Sequence, residues 1–218
     1  VLSGEAPAAH QAMAMASLEQ HLVDHDAGLI RLLTPPLEHT EPSAGYIQAY
    51  PPGVRENGGQ YSHAAIWALM AQAALARSGA EEVHGEAVYR YFTMLSPAHR
   101  AAHPVQGPLY EIEPYVMAGD ICSQAPYAGR GGWSWYTGAA AWMHRAALES
   151  IFGLDLRADT LSFRPCFPAD WNSAGLILRR EGRSMHFSFQ RGGAPAQANA
   201  TFTRLQIGED LPWRSAPD

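Results

Sequence analysis
No lysine occurs anywhere in this sequence; all fifteen basic residues are arginine. Lysine Schiff-base chemistry, pyridoxal phosphate anchoring and the Walker-type phosphate loop are excluded with it. Cysteine is nearly as scarce. Cys122 and Cys166 stand far apart, which fits a reducing compartment or inert burial better than a disulfide framework. Long apolar runs are missing too. The stretch Ala64 to Ala76 is broken by Gln72 and falls short of the ~18–20 residues of a membrane span. A net charge of −6 argues against nucleic acid as the main partner. There is no GxSxG, HExxH, GxGxxG or CxxC pair. What remains is a 218-residue chain, 47% hydrophobic and 17% charged, able to bury a sizeable core. It opens VLSGEAPAAH, with neither Met nor a basic n-region, and reads as the inside of a longer protein.

Composition shifts near residue 155, from alanine-rich amphipathic stretches to short alternating runs. The spacing predicts four helices: about Ala8 to Val23 behind Pro7, Tyr61 to Arg77 with a Gly79 stop, Glu82 to Leu95 ahead of Pro97, and Thr137 to Phe152 closed by Gly153. Met13, Leu18 and Leu22 mark the first helix's apolar spacing. Gly28 to Leu33 and Tyr110 to Ala118 read as extended. Residues 34–58, rich in Pro and Gly, form a long loop that Tyr46 and Tyr50 should order. In the tail, Leu161–Arg164, Gly175–Glu181, Ser184–Arg191 and Ala198–Ile207 read as strands. Glu181-Gly182-Arg183 should close a hairpin, and Met185, Phe187 and Phe189 should share one face. Residues 209–218 are expected to fray. The expected fold is therefore mainly α, with a small antiparallel β segment after it. Helices joined by long loops at one end suggest part of a toroid of paired helices with a funnel where the loops meet.

Two stretches can carry chemistry. The first runs from Tyr46 to His63 and contains Arg55-Glu56-Asn57-Gly58-Gly59. Arg55 can fork onto an oxyanion or a pair of sugar hydroxyls. Glu56 and Asn57 add acceptors and donors, the Gly pair admits a ligand close to the backbone, and His63 falls on the first turn of a helix, where N–H groups favour anions. A Pro/Gly turn with a capping Asn and a core histidine is the plainer reading. The second stretch is Arg130-Gly-Gly-Trp-Ser-Trp-Tyr-Thr-Gly138. Thr137 and Gly138 at a helix start make a small anion cradle, and Trp133, Trp135 and Tyr136 offer flat faces for sugar rings. An N-cap with three core aromatics explains the same residues.

Weaker signals point nowhere firm. His21/His25 and His99/His103 have a chelating spacing without a third ligand, so no metal is expected. Asn199-Ala-Thr201 is a formal glycosylation sequon with no other sign of secretion. Glu111 and Glu113 should face one side of an extended run, too close together to flank a glycosidic bond as acid and base.

Taken in order, GYIQAYPPGVRENGGQYSHAAIWA, YEIEPYVMAGDI, GRGGWSWYTGAAAWMHRAALESIFGL and FRPCFPADW resemble the C-terminal part of glycoside hydrolase family 94. Within that family they look most like the phosphorylase-like domain of cyclic β-1,2-glucan synthases, and less like cellobiose and chitobiose phosphorylases. The resemblance covers about residues 20 to 175. It implies the C-terminal part of an (α/α)6 barrel over 1–155, followed by β-sandwich material over 156–218. It also implies reversible, inverting phosphorolysis of a β-glucoside, with inorganic phosphate as co-substrate and no other cofactor. His63, Thr137 and Gly138 match the family's phosphate-binding positions, and Arg55 and Glu56 match positions that contact the sugar. No catalytic residue is expected in the chain, because the family's general acid lies in an Asp-Trp-Asn-Asp motif upstream of Val1. Asp170-Trp171-Asn172 mimics that motif but follows FRPCFP, in the β tail, and is rejected as the acid. The implied partners are a β-glucan or β-glucoside, phosphate and the N-terminal part of the same protein. The fragment alone should be inactive and should self-associate through its open flank. The implied location is cytoplasmic, on a parent protein compatible with inner-membrane association. A non-catalytic carbohydrate-binding module, or an inverting (α/α)6 hydrolase using Glu56, stands as the alternative.

Overall fold
The computed structural model describes residues 1–78, 85–157, 160–180, 183–191 and 202–208. The expected Gly79 stop, the Glu82 helix start, the Glu181-Gly182 turn, the Asn199-Ala-Thr201 sequon and the frayed 209–218 tail lie outside them.

Helix α1 (Ala8–Leu22) presents Met15 to the core and Leu18 half-buried beside it. Met13, expected inward, points out and is 68% exposed. Met15, Leu18 and Leu22 fall at helical spacing on one face, and Met13 falls off it. Glu19, on the inner side, ties α1 to helix α4 (Gly85–Leu95): it accepts from Arg90 Nη2 at 2.7 Å and from the Tyr91 hydroxyl, and pairs with His25 Nε2 at 3.0 Å. Strand β1 (Val23–Asp24) then turns back against β2 (Leu29–Ile30), the extended run expected there.

Helix α2 (Tyr46–Ala49) is a single turn inside the long loop. Strand β3 (Gln60–Tyr61) leads directly into helix α3 (Ser62–Ser78), whose Ala65, Ile66, Leu69 and Ala73 are buried at three- and four-residue spacing. On α4, Val88, Tyr91 and Leu95 do the same. Pro97 ends α4 and opens helix α5 (Pro97–Ala102), because a proline lacks only an N–H that a helix start leaves unpaired. Helix α6 (Gln106–Tyr110) follows. The sequence reading missed α2, α5 and α6, all short.

The expected extended run from Tyr110 to Ala118 does not form. Tyr110 ends α6, Glu111 turns left-handed at φ 52°, and the segment bends onward to strand β4 (Asp120–Ile121). Its alternation has another cause: Tyr110 packs with Leu29, Ala118 and Ile121 in a small second core, with Ile112 against it. Strand β4 pairs antiparallel with β3, setting Asp120 opposite Tyr61.

Helix α7 (Ala139–Arg145) starts two residues later than expected and continues without a break as a π-helical stretch, Ala146–Ile151. Gly153, at φ 68°, closes it. A Cβ there would stand 1.9 Å from the Arg164 carbonyl oxygen, so the site admits only glycine. Two antiparallel sheets complete the fold. Strands β5 (Leu154–Arg157) and β6 (Thr160–Phe163) form one; β7 (Ser173–Arg180), β8 (Arg183–Arg191) and β9 (Phe202–Gly208) form the other in that order. Phe187 and Phe189 point inward as expected and join the cluster of Ile66, Leu69, Val88 and Tyr91. Phe187 meets Phe163 edge-on at 4.8 Å. The protein is mainly helical with small antiparallel sheets, and no described helix is long and apolar enough to cross a membrane.

Candidate active site
Two loops and two helix starts enclose an open cleft of about 340 Å³. The first wall is the loop from Tyr50 to Gly59. Its key is Asn57, which is fully buried. Asn57 Oδ1 accepts from the Leu37 amide at 2.6 Å, and Nδ2 donates to the carbonyls of Leu37 at 2.9 Å and Tyr50 at 2.8 Å. Asn57 therefore belongs to the scaffold, not to the ligand-facing set in which its sequence context placed it.

The fold imposed by Asn57 presents Arg55 and Glu56 to the cleft. Arg55 takes a left-handed backbone at φ 46° and carries its guanidinium 4.8 Å from the Trp133 ring centre and 5.6 Å from that of Tyr50. The Tyr50 hydroxyl and the Asp120 carboxylate hold the Arg55 pKa above its ordinary value, so the charge is permanent. Glu56 brings one carboxylate oxygen, Oε2, into the protein without a hydrogen-bond partner there. A buried acceptor left open in this way is complete only when a donor arrives.

The floor is Asp120, only 4% exposed. Its Oδ1 accepts from the Trp133 amide at 3.2 Å and lies 3.9 Å from Arg55 Nε. A Cβ at Gly132 would come within 2.5 Å of that same oxygen, which explains the glycine at this close approach. Sequence reasoning missed Asp120. Its signal was faint: one acid flanked by Gly119 and Ile121, in a two-residue strand.

The far side is built from His63 and the start of α7. His63 sits on the first turn of α3, its ring stacked at 24° on Tyr61 and flanked by Trp67 and Trp142. Gly138 precedes α7, and a Cβ there would lie 3.3 Å from both Cε1 and Nε2 of His63. Thr137 turns its hydroxyl to accept from the Ala139 amide at 3.1 Å. Arg55, Glu56, His63, Thr137 and Gly138 thus line one cleft although they span 84 positions of sequence, from 55 to 138. Trp133 and Tyr136 line it as well. Trp135 does not; it faces outward.

The other candidates disperse. His21 lies on α1 and His25 beyond its end, paired with Glu19. His99 meets Ser96 Oγ at 2.9 Å, and His103 Nδ1 accepts from the Val105 and Gln106 amides. Among the described residues no His, Cys, Asp and Glu cluster is fit to hold a metal ion. Glu111 and Glu113 are not on one extended face: Glu111 pairs with Arg130 at 3.0 Å, and Glu113 accepts from Trp135 Nε1 at 3.3 Å. Both cysteines are free.

A fixed cation, carboxylates, an imidazole and the aromatic faces of Tyr61, Trp133 and Tyr136 around one open cleft define a class of site, one suited to small ligands rich in hydroxyls and oxyanions. The chain belongs to the glycosyl hydrolase 94 superfamily, whose catalytic-domain profile matches residues 1–153. It is similar to the cyclic beta-(1,2)-glucan synthase NdvB of Rhizobium meliloti (strain 1021), 45% identical over 190 residues that cover 87% of this chain and 6% of the synthase. It is similar also to the solabiose phosphorylase of Paenibacillus borealis, 30% identical over 66% of this chain and 18% of the phosphorylase. For the N,N'-diacetylchitobiose phosphorylase of Vibrio furnissii the identity is 27%, over 87% of this chain and 22% of the phosphorylase. The chain spans less than a quarter of the length of each of these relatives.

Proposed function
We propose that the chain supplies the phosphate- and sugar-binding side of the catalytic cleft in an inverting β-glucan phosphorylase or synthase-type enzyme. The observation that carries this reading is the His63 ring lying 3.3 Å from where a Gly138 Cβ would stand, in one cleft with Thr137 and the permanent charge of Arg55. In it, His63, Thr137 and Gly138 hold inorganic phosphate, while Arg55 and Glu56 take sugar hydroxyls. Bound phosphate is itself the nucleophile, so the protein needs no base to activate water. It needs one carboxylic acid to protonate the leaving oxygen. That acid lies outside these residues in this reading: Asp120 is already engaged by the Trp133 amide and Arg55, and Asp170 lines a separate depression with Trp171 and Phe152. The division at residue 155 and the (α/α)6 barrel belong to the same proposal. The outward alanines of α1, with Met13, suit a flank that further helices of such a barrel cover, and the much greater length of the relatives leaves room for them.

The test is made on the longest polypeptide in which this chain naturally occurs. Sugar release from β-1,2- and β-1,4-glucosides should require phosphate and yield an α-sugar 1-phosphate. His63→Ala should lower turnover by about a hundredfold, as loss of one oxyanion donor does elsewhere. The isolated chain should bind phosphate without turnover. The open Glu56 Oε2 favours a second reading, an inverting hydrolase with Glu56 as its acid or base. Sugar release that ignores phosphate and falls away in Glu56→Gln would establish it. Binding with no turnover even in the long polypeptide would leave a non-catalytic carbohydrate-binding module.

A further inference from the structure
Tyr115 and Trp135 take no part in the cleft, yet they are 76% and 72% exposed and set edge to face, 6.4 Å between centroids. Burial does not hold them there. Trp135 keeps a left-handed backbone at φ 60°, which non-glycine residues adopt only against an energetic cost, and its Nε1 donates to Glu113 Oε1. The backbone beneath is cross-tied: Ala118 bridges Ser134, the Gly119 amide donates to the Trp133 carbonyl at 2.6 Å, and Glu111 pairs with Arg130. The Glu113 bond holds the Trp135 ring, Tyr115 packs edge-on against it, and both stand on a rim continuous in sequence with Trp133, Tyr136 and Thr137, which line the cleft.

We propose that Tyr115 and Trp135 form a platform for further glucosyl rings of an oligosaccharide whose reacting end occupies the cleft, so that the rim reads chain length. Flat rings with polar edges match the C–H face and hydroxyl edge of a hexose. The Glu113 carboxylate, beside the platform, has acceptor capacity beyond its bond to Trp135 for sugar hydroxyls. Glu111, Glu113 and the net charge of −6 argue against a nucleic-acid strand as the stacking partner. This inference rests on the reading of the cleft as a sugar site.

The test titrates the longest natural polypeptide containing this chain with β-1,2-linked gluco-oligosaccharides of two to six units, by calorimetry, and separately with inorganic phosphate. In the unaltered protein affinity should rise with length. Trp135→Ala and Tyr115→Ala should each weaken binding of the long oligosaccharides about five- to tenfold, the scale of one aromatic contact. Affinity for the two-unit sugar and for phosphate should stay within about twofold. Trp135→Phe, which keeps one aromatic ring but loses the indole's second ring and Nε1, should retain part of the length effect, and near-ultraviolet circular dichroism checks that each variant is folded. Should Trp135→Ala alone unfold, Tyr115→Ala decides. Equal loss at every length, or no rise with length while the disaccharide and phosphate bind, overturns the platform and leaves the cleft reading intact. Length-dependent binding that needs Trp135 but shows no phosphate site supports the platform and the cleft as a sugar site, and overturns the assignment of phosphate to His63, Thr137 and Gly138. No binding of any glucan overturns both.

Discussion
The two walls of the cleft are built by opposite means. The loop around Arg55 is fastened from within, by the three hydrogen bonds of fully buried Asn57 and by the Gly59 amide on the Arg55 carbonyl at 3.0 Å. The rim from Arg130 to Gly138 rests on backbone bonds to Tyr110, Gly119, Asp120 and Cys122, and most of its side-chain ties are on the outside: the Glu111–Arg130 pair, with both side chains more than half exposed, and Glu113 on Trp135. A buried polar clamp in low dielectric defines one geometry and is costly to break. Exposed tethers compete with water at every moment. The first wall is thus suited to hold the charge of Arg55 at a fixed point, and the second to present aromatic faces at the surface, where only exposed side-chain ties orient them.

The largest expected effect breaks the first wall. Asn57→Ala leaves the Leu37 amide and two partly buried carbonyls unpaired, at up to about 1–3 kcal/mol each before relaxation and rehydration. We expect a net loss of about 2–4 kcal/mol, read as a lower urea midpoint at unchanged slope. Asn57→Asp should be no better, since it turns a donor facing two carbonyls into an acceptor. A loss below about 1 kcal/mol would mean that the loop is not held from within.

The thiols probe the same contrast. Cys122 is part of the rim: its amide donates to the Arg130 carbonyl at 2.9 Å, and it is partly exposed. Cys166 is 1% exposed, and desolvation pushes its pKa from 9.0 up to about 11. Near pH 8 a thiol reagent should label Cys122 in the folded protein and Cys166 only on unfolding. The sign of the linkage follows. Between pH 9 and 11 the unfolded chain releases the Cys166 proton and the folded chain keeps it. Stability is fully present below pH 9 and falls as pH rises to about 11, by at most about 3 kcal/mol. Cys166→Ala should abolish that part of the slope; an unchanged slope would contradict the burial of this thiol.

The same division runs through what could be read from the sequence. Helices α3, α4 and α7 and the β7–β8 hairpin follow from local periodicity, and the cleft residues Arg55, Glu56, His63, Thr137 and Gly138 stood in short motifs dense with unusual chemistry. Asn57 stood among them and does another job, because whether an amide clamps the backbone or faces a ligand depends on partners up to 20 residues away. Asp120 was invisible for the converse reason: its value comes from Arg55 and Trp133, residues far from it in sequence that the β3–β4 pairing and the Ala118–Ser134 bridge bring to it. The alternation of Tyr110 and Ile112 misled because a loop can bury alternate residues in a small core without any strand.

Asp120 joins the two walls, so altering it should loosen both by a smaller amount. Asp120→Asn can keep the bond to the Trp133 amide but removes the charge beside Arg55. We expect a stability loss of about 1–2 kcal/mol, because the pair is partly buried and not in tight contact. Sugar affinity should fall further than phosphate affinity, since Arg55 is the group that loses its anchor. Equal losses for the two ligands would separate Asp120 from Arg55.

The smallest effect belongs to the rim. Arg130→Ala removes a 3.0 Å ion pair whose side chains are 53% and 56% exposed. Water already solvates both charges, and ordering two long side chains offsets most of the attraction, so the expected change is within about 0.5 kcal/mol. High salt should reproduce it in the unaltered protein by screening the pair. The rim's mobility should nevertheless increase, because Glu111 and Arg130 tie the segment before β4 to the loop before α7. Faster labelling of Cys122 in Arg130→Ala, at unchanged global stability, is the outcome that sets a rim held from outside apart from a wall held from within. Unchanged labelling would show that the backbone bonds of the Arg130 and Gly131 region hold the rim on their own.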